Sequence, residues 1–325
     1  MLELNFAKEL RRIKGNEPLL LDDPQTVWVV QSGTLALFAT QVEKGDFKGN
    51  RRYLFSVSAD EAVFGAALWE QWGILAVAIE ETELVPIPIA DFGALVATTN
   101  SDAIALLENW IRHLGDFINN YPLFVPINLE QIGQSRYLSL QKGQVLSCSV
   151  DQVAWVQVAD GSTQWMGIKD LRLKATSVVF PLASGMWLEA EDLTEVHIIP
   201  TGELENVEQL PTSLAGLHAY FFYYLNLLVL KRKEQDFRLF LERQQLNNQV
   251  TEAALGELTT VLQPHKAAFF QEGTPLLVAV GAVGRALGIT IYPPAKSEDL
   301  SRVKDPLEAI ARASQFRTRR VLLLG

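Results

Sequence analysis

The chain has 325 residues, of which 48% are hydrophobic and 20% charged, so it can bury a sizeable core and is long enough for two or three domains. A net charge of −10 and a pI near 5.0 exclude a general nucleic-acid or anionic-membrane surface, since both attract basic patches. One cysteine, Cys148, excludes a disulfide framework within the chain and a zinc site of cysteine type, and fits a reducing cytosol.

The first nine residues, Met1 to Glu9, are acidic and amphipathic and lack the basic and apolar regions of a signal peptide. Residues 26 to 92 read mostly as strands: Val27–Val30, Thr34–Ala39, Arg52–Val57, Leu75–Ile79 and Leu84–Ile87, punctuated by Gly, Asp and Pro. That spacing predicts a closed β-roll. From Ser101 the period changes. Ile104, Leu107, Ile111, Leu114 and Ile118 recur at helical spacing behind a Ser-Asp start, which predicts a helix directly after the roll.

Between Val63 and Phe92 the chain resembles the phosphate cassette of cyclic-nucleotide-binding domains, F-G-E-x-A-L, a short loop, then R-A/S-A/T-x-V. The residues that carry the likeness are Phe64-Gly65-Ala66-Ala67-Leu68-Trp69 and Ile74-Leu75-Ala76-Val77. In that family the Gly admits the ligand to the backbone, the Glu takes the ribose hydroxyl and the Arg pairs with the phosphate, for which a delocalised cation with forked donors is suited. Here Ala66 stands at the Glu position, and Gly73, or at best Ile74, at the Arg position. Gly65, Ala66 and Gly73 therefore mark a degenerate site, with no cofactor implied.

A second set of strands echoes the first. Val153–Val158 before Gly161 follows Val27–Val30 before Gly33. Val178–Leu182 and Met186–Leu188 follow Val63–Gly65 and Leu68–Trp69, and Glu195–Pro200 follows Glu83–Pro88. Three echoes in matching order predict a duplicated, shorter roll. From Leu214 to Val250 the chain reads as one long helix. Leu214–Leu230 is its most apolar part, but His218 and Asn226 interrupt it, so it falls short of the roughly 18 to 20 apolar residues of a membrane span. Leu217, Phe221, Tyr224 and Leu228 form an apolar stripe, expected to pack on the helix's own continuation or on a second protomer, through which the chain would self-associate. The stretch from Thr274 holds two helical patterns and one strand, Arg320–Leu324. A lone strand makes an incomplete domain, so the chain is expected to continue past Gly325.

The four histidines, His113, His197, His218 and His265, share no ligand spacing, the acidic pairs lie at turns, and no phosphate loop of the G-x-x-x-x-G-K-[ST] type is present. No nucleophile stands with a base. The chain is expected to carry no catalytic and no metal-ligating residue and not to be an enzyme.

Gly15 to Pro24, Val27 to Gly33 and Arg51 to Val57 together resemble the amino-terminal region of NHLP/NHLM-type bacteriocin ABC exporters. That resemblance spans nearly the whole chain and implies a multidomain, β-rich α+β architecture. Residues 1–122 would form a cyclic-nucleotide-binding-like (cupin-like) roll with its capping helix, 123–212 a second roll, 213–265 a helical connector and 266–325 part of a papain-like leader-peptidase domain. In the last, Gln271 and Gly288 match the family's Gln and closing Gly, while Pro275 falls where the nucleophilic Cys belongs. A thiolate beside an imidazole is required for that chemistry, so the half-domain would bind without cleaving. The resemblance implies a cytosolic regulatory and substrate-docking region at the inner face of the membrane. Its partners would be a leader-bearing precursor peptide, the membrane and ATPase domains of the same exporter, and a second copy in a homodimer, with no nucleic acid. The alternative expectation is a stand-alone sensor or scaffold whose rolls bind something other than a cyclic nucleotide.

Overall fold

The computed structural model describes residues 10–43, 46–126, 129–132, 136–176, 178–204 and 207–262. The expected peptidase-like segment 266–325, with Gln271, Pro275 and Gly288, and His265 lie outside the described residues. Contacts gather Met1–Leu230 into one compact unit and Lys231–Gly325 into another.

The first unit begins with eight strands: β1 (Arg11–Ile13), β2 (Pro18–Leu20), β3 (Thr26–Ser32), β4 (Thr34–Glu43), β5 (Asp46–Ser58), β6 (Ala62–Phe64), β7 (Trp72–Ala78) and β8 (Thr82–Pro88). They form two four-stranded sheets in the orders β1-β8-β3-β6 and β2-β7-β4-β5. Alternation builds the core: Leu35, Leu37 and Ala39 of β4 are fully buried, while Ala36 and Phe38 between them are only half-buried. Two helices follow, α1 (Ile89–Ala97), which the strand pattern had not shown, and α2 (Ser101–Asn120). The Asn100 side chain caps α2, accepting from the Ala103 N–H at 3.0 Å. Of the predicted face Leu107, Ile111, Leu114 and Ile118 are buried and Ile104 is half-buried, and Trp110 is buried beside them.

The second set comprises β9 (Leu129–Gln131), β10 (Tyr137–Leu140), β11 (Val145–Ser147), β12 (Val153–Asp160), β13 (Ser162–Trp165), β14 (Arg172–Lys174), β15 (Phe180–Ala183), β16 (Trp187–Ala190) and β17 (Thr194–Ile199). Its sheets run β10-β17-β12-β15 and β14-β13-β16-β11-β9. Strand for strand, the first repeats β1-β8-β3-β6 and the second repeats β5-β4-β7-β2, with β9 added in parallel beside β11. Even the irregularities coincide, since the register slips between Val30 and Ser32 against β8 and between Val158 and Asp160 against β17.

Gly33 (φ +86°) and Gly161 (φ +80°) follow those slips. A side chain on either would meet the buried hydroxyl of Thr82 or Thr194 below 3 Å, so both turns require glycine. The threonines do the same work: Thr82 Oγ1 lies within hydrogen-bond reach of Glu80 O at 3.0 Å and Thr34 O at 3.5 Å, and Thr194 Oγ1 of the matching Asp192 O at 3.2 Å and Ser162 O at 3.0 Å. The molecule is therefore β-rich, with two β-rolls of one topology and helices packed against them.

After β17, helix α3 runs from Leu210 to Leu262, longer at both ends than its sequence pattern. Leu217, Phe221 and Tyr224 are completely buried within the first unit. Phe221 packs on Phe117 of α2 at 5.5 Å, and Trp165 of β13 lies 5.9 Å from Tyr224. The expectation that this stripe carries self-association is thereby corrected: α2 and the second roll already cover it. Its length and composition over Leu210–Arg243 would allow a membrane span, contrary to the reading of its interruptions, but the most apolar turns serve as a core helix of this unit.

Candidate functional site

The loop from β6 to β7 of the first roll is where the cassette resemblance lies, and its backbone is tightly tied down. Gly65 N–H donates to Thr26 O at 3.1 Å and Ala66 N–H to Leu21 O at 2.8 Å. A side chain on Gly65 would run into the carbonyl of Asp23. Asp23 itself is pinned, its carboxylate accepting from Thr26 Oγ1 at 2.6 Å and from Gln25 N–H at 3.0 Å. Gly65 is thus needed for one chain segment to approach another. The loop closes where Trp69 and Trp72 exchange backbone hydrogen bonds of 3.0 and 2.7 Å, leaving Glu70 at φ +54° at the tip.

Ala66 is fully buried in the main core. A glutamate there would place a carboxylate among apolar side chains, which is costly without a partner. Gly73 is buried too, and the direction its side chain would take is occupied. Leu68 Cδ2 lies 2.7 Å from that point, with Leu20 and Val42 at 3.5 and 3.6 Å. Ile74, the other candidate for the Arg position, is completely buried in the core. So the structure brings Gly65, Ala66 and Gly73 onto one loop and its flanking strand, yet the space for a phosphate-binding cation is filled by leucine.

Two carboxylates, Glu70 and Asp170, stand by the loop. Trp69 packs edge-on against Tyr223 of α3 at 5.7 Å. The Tyr223 hydroxyl donates to Asp170 Oδ2 at 2.6 Å, and its pKa is raised by that hydrogen bond first, then by burial and by the charges of Asp170 and Glu70. Two carboxylates beside the loop disfavour an anion there.

The second roll has a tight turn in place of this loop. Seven residues separate β6 from β7, but only three separate β15 from β16. Met186–Leu188 therefore corresponds to the start of β7, not to Leu68–Trp69 as the sequence echo suggested. The turn that remains, Ser184-Gly185, lies on α2: Gly185 (φ +86°) faces the Gly115 carbonyl, and Gly115 faces Ser184 O.

The remaining reactive side chains serve packing. Cys148 is buried with its thiol directed at Leu182 O at 3.4 Å, and burial pushes its pKa up to about 12, so it supplies no thiolate. His218 is buried on α3, accepts at Nε2 from Trp110 Nε1 at 2.9 Å, and is pulled down to about 4 by burial. His113 contacts Glu61 at 2.9 Å and stacks on Phe55, while His197 stacks on Tyr137. Among the described residues, no group of three or more His, Cys, Asp or Glu is placed to hold a metal ion.

Sequence reasoning placed Leu68 and Trp69 in the cassette without giving either a part in the site, and it missed Thr40, which lies across from Gly73. It also missed the strand pairs before each roll's first long strand. Their signal was present: Lys14-Gly15-Asn16-Glu17 and Gln141-Lys142-Gly143-Gln144 form the same turn. In each, the fourth side chain accepts from the first backbone N–H, at 3.1 and 2.5 Å.

No family model and no curated protein matches the chain. The chain is similar to solved structures of cyclic-nucleotide-binding-like fold. A CooA variant from Carboxydothermus hydrogenoformans is 15% identical over 36% of this chain and 76% of its own, with a TM-score of 0.27. PfPKA-R in its cAMP-bound form is 12% identical over 68% of this chain and 81% of its own, with a TM-score of 0.24. The catabolite activator protein of Thermus thermophilus is 24% identical over 35% of this chain, which spans 54% of that protein, with a TM-score of 0.25. At such identities and scores a likeness carries nothing about ligand or activity; the two-roll fold of this chain rests on its own strand order and register.

Proposed function

We propose that this chain is a ligand-sensing regulatory module whose first roll takes an uncharged small molecule in place of a cyclic nucleotide. The observation that carries this reading is the contrast between the rolls. The first keeps the β6–β7 loop, tied to the strands beneath it and in contact with α3. The second has reduced the same connection to a turn against α2. A loop of the first kind with Ala66 and Gly73 at the charged positions, and Glu70 and Asp170 nearby, suits a neutral ligand. The test is a thermal-shift screen of uncharged metabolite-sized molecules beside cAMP and cGMP. The expected result is stabilisation by members of the uncharged set and none by the cyclic nucleotides. A screen with no stabilising ligand, or a calorimetric dissociation constant for cAMP in the low micromolar range, overturns it.

A second reading is supported by α3. Beyond Lys231 this helix presents Phe237, Phe240 and Leu241 at least half exposed, at spacings of three and four residues that put them on one face. An apolar face of this kind suits a partner. In the exporter reading that partner is a second copy or the membrane and ATPase domains of the same protein. The chain then lies at the cytoplasmic face of the membrane, docks a leader-bearing precursor peptide and performs no catalysis itself. The reading frame after Gly325 decides: membrane spans and a Walker A motif support the exporter, and a stop codon removes it.

A further inference from the structure

Thr40 is completely buried, and its hydroxyl has no hydrogen-bond partner among the described residues. Buried hydroxyls in folded proteins are almost always paired, so an orphan asks what completes it. Thr40 lies on β4 directly across from Gly73 on β7. Cross-strand partners point to the same face, so the position facing the hydroxyl carries no side chain of its own. Leu68 fills it instead, lying against Gly73 from the β6–β7 loop while remaining 42% exposed. Leu20 and Val42 complete the contact around Gly73. A niche floored by glycine, walled by aliphatic side chains and holding one unsatisfied hydroxyl is closed by a half-exposed leucine. That leucine loses little by turning out to solvent.

We propose that this niche binds a small neutral molecule with an apolar body and a single hydrogen-bonding oxygen, which displaces Leu68 and pairs with the Thr40 hydroxyl. This rests on the reading of the first roll as a ligand sensor and specifies its site. The vacated volume of a leucine lined by aliphatic groups suits a ring-sized apolar body. No cation is among Thr40, Gly73, Leu68, Leu20 and Val42, so an anion gains nothing there. The site is also connected. Leu68 is followed by Trp69, whose ring meets Tyr223 of α3, and Tyr223 is hydrogen-bonded to Asp170 of the second roll. Expelling Leu68 therefore moves the residue next to a contact that joins this loop to α3.

The test uses the whole chain with labelled methyl groups and two probes, benzyl alcohol and toluene, which share a ring and differ in the hydroxyl. The expected result is saturable binding of benzyl alcohol, read at the Leu68, Val42 and Leu20 methyls and weaker by about tenfold for toluene. Leu68→Ala, at a half-exposed position, should tighten both probes about fivefold. Thr40→Val, which removes only the hydroxyl, should weaken benzyl alcohol about tenfold and leave toluene unchanged. Three outcomes overturn the site. One is no saturable shift in either the parent or Leu68→Ala. Another is equal affinity of benzyl alcohol for the parent and a folded Thr40→Val. The third is a response confined to the Leu35 and Leu37 methyls on the opposite face of β4. That last result would leave the sensor reading standing, whereas a screen without any stabilising ligand would remove the sensor reading as well.

Discussion

Gly185, in the tight turn of the second roll, rests against the backbone of Gly115 in α2, so the helix that caps the first roll occupies the place of the second roll's missing loop. Neither residue has room for a methyl group. Gly115→Ala puts a conflict between helix preference and packing to a direct test. Alanine favours a helix over glycine by about 1 kcal/mol. Its Cβ, however, would strike the Ser184 carbonyl and crowd Ala183. We expect packing to win, with a net loss of about 1–3 kcal/mol in urea unfolding. A neutral or stabilising result would mean that the turn can withdraw from α2 at no cost.

Restoring the cyclic-nucleotide chemistry needs more than the two charged residues. Parent protein should not bind cAMP or cGMP, because a buried phosphate without its Arg lacks a charge-assisted pair worth about 1.5–3 kcal/mol. Ala66→Glu with Gly73→Arg should bind only weakly, since the first carbon of an arginine at 73 comes 2.7 Å from Leu68 Cδ2 and Leu68 must turn out before a ligand can enter. Adding Leu68→Ala should give measurable binding by calorimetry. If the double substitution binds as well as the triple, Leu68 is not the obstruction that its position indicates.

His218 makes stability depend on pH. Burial pulls its folded pKa from 6.5 to about 4, so the neutral ring is the folded form. Above pH 6.5 the ring is neutral in folded and unfolded chains alike, and its protonation contributes nothing. As pH falls from 6.5 towards 4, the unfolded chain takes up a proton that the folded chain refuses, and stability declines. At about 1.4 kcal/mol per pH unit, the loss approaches 3 kcal/mol at pH 4. Urea titrations between pH 7 and pH 4 check this. His218→Gln, which keeps an acceptor in reach of Trp110, should lose less over that interval, and an identical slope would assign the pH dependence to other groups.

The first roll's long strands and α2 were legible because their signals are local. Strict alternation in Leu35, Leu37 and Ala39 and the helical recurrence from Leu107 to Ile118 state which face is inside. The duplication was legible at Gly33 and Gly161 for a similar reason: a positive φ beside a buried threonine admits one residue type in both places. The three-residue strands β1, β2 and β11 are too short to show a period. The site failed for a different reason. Leu68 and Thr40 are 28 residues apart in sequence, and their relation exists only through the pairing of β4 with β7. A motif defined by a missing Glu and Arg said what the loop does not bind and was silent on what had filled it.

Cys148 should be chemically silent in the folded chain. With its thiol pushed up to about 12 and covered by the second roll, alkylation by iodoacetamide at pH 8 should proceed only after denaturation. Mass spectrometry of native and urea-treated samples reads this directly. The same chain should cleave no leader peptide carrying a double-glycine site. Product that forms with native protein and disappears in Cys148→Ala would show that the thiol is reached and activated.

Two helix substitutions separate folding from association. Phe221 is completely buried and packs on Phe117, so Phe221→Asp places an unpaired carboxylate in the core and should cost more than about 3 kcal/mol. It should melt the first unit, not convert a dimer to a monomer. Phe240 lies 54% exposed on the same helix, so Phe240→Asp leaves the core untouched and should change the midpoint of unfolding little. If two copies pair through the face of Phe237, Phe240 and Leu241, sedimentation velocity should show a dimer for the parent and a monomer for Phe240→Asp. A folded Phe221→Asp chain of unchanged helicity would contradict the packing seen around α3. A parent that sediments as a monomer would remove the second copy as the partner of this face.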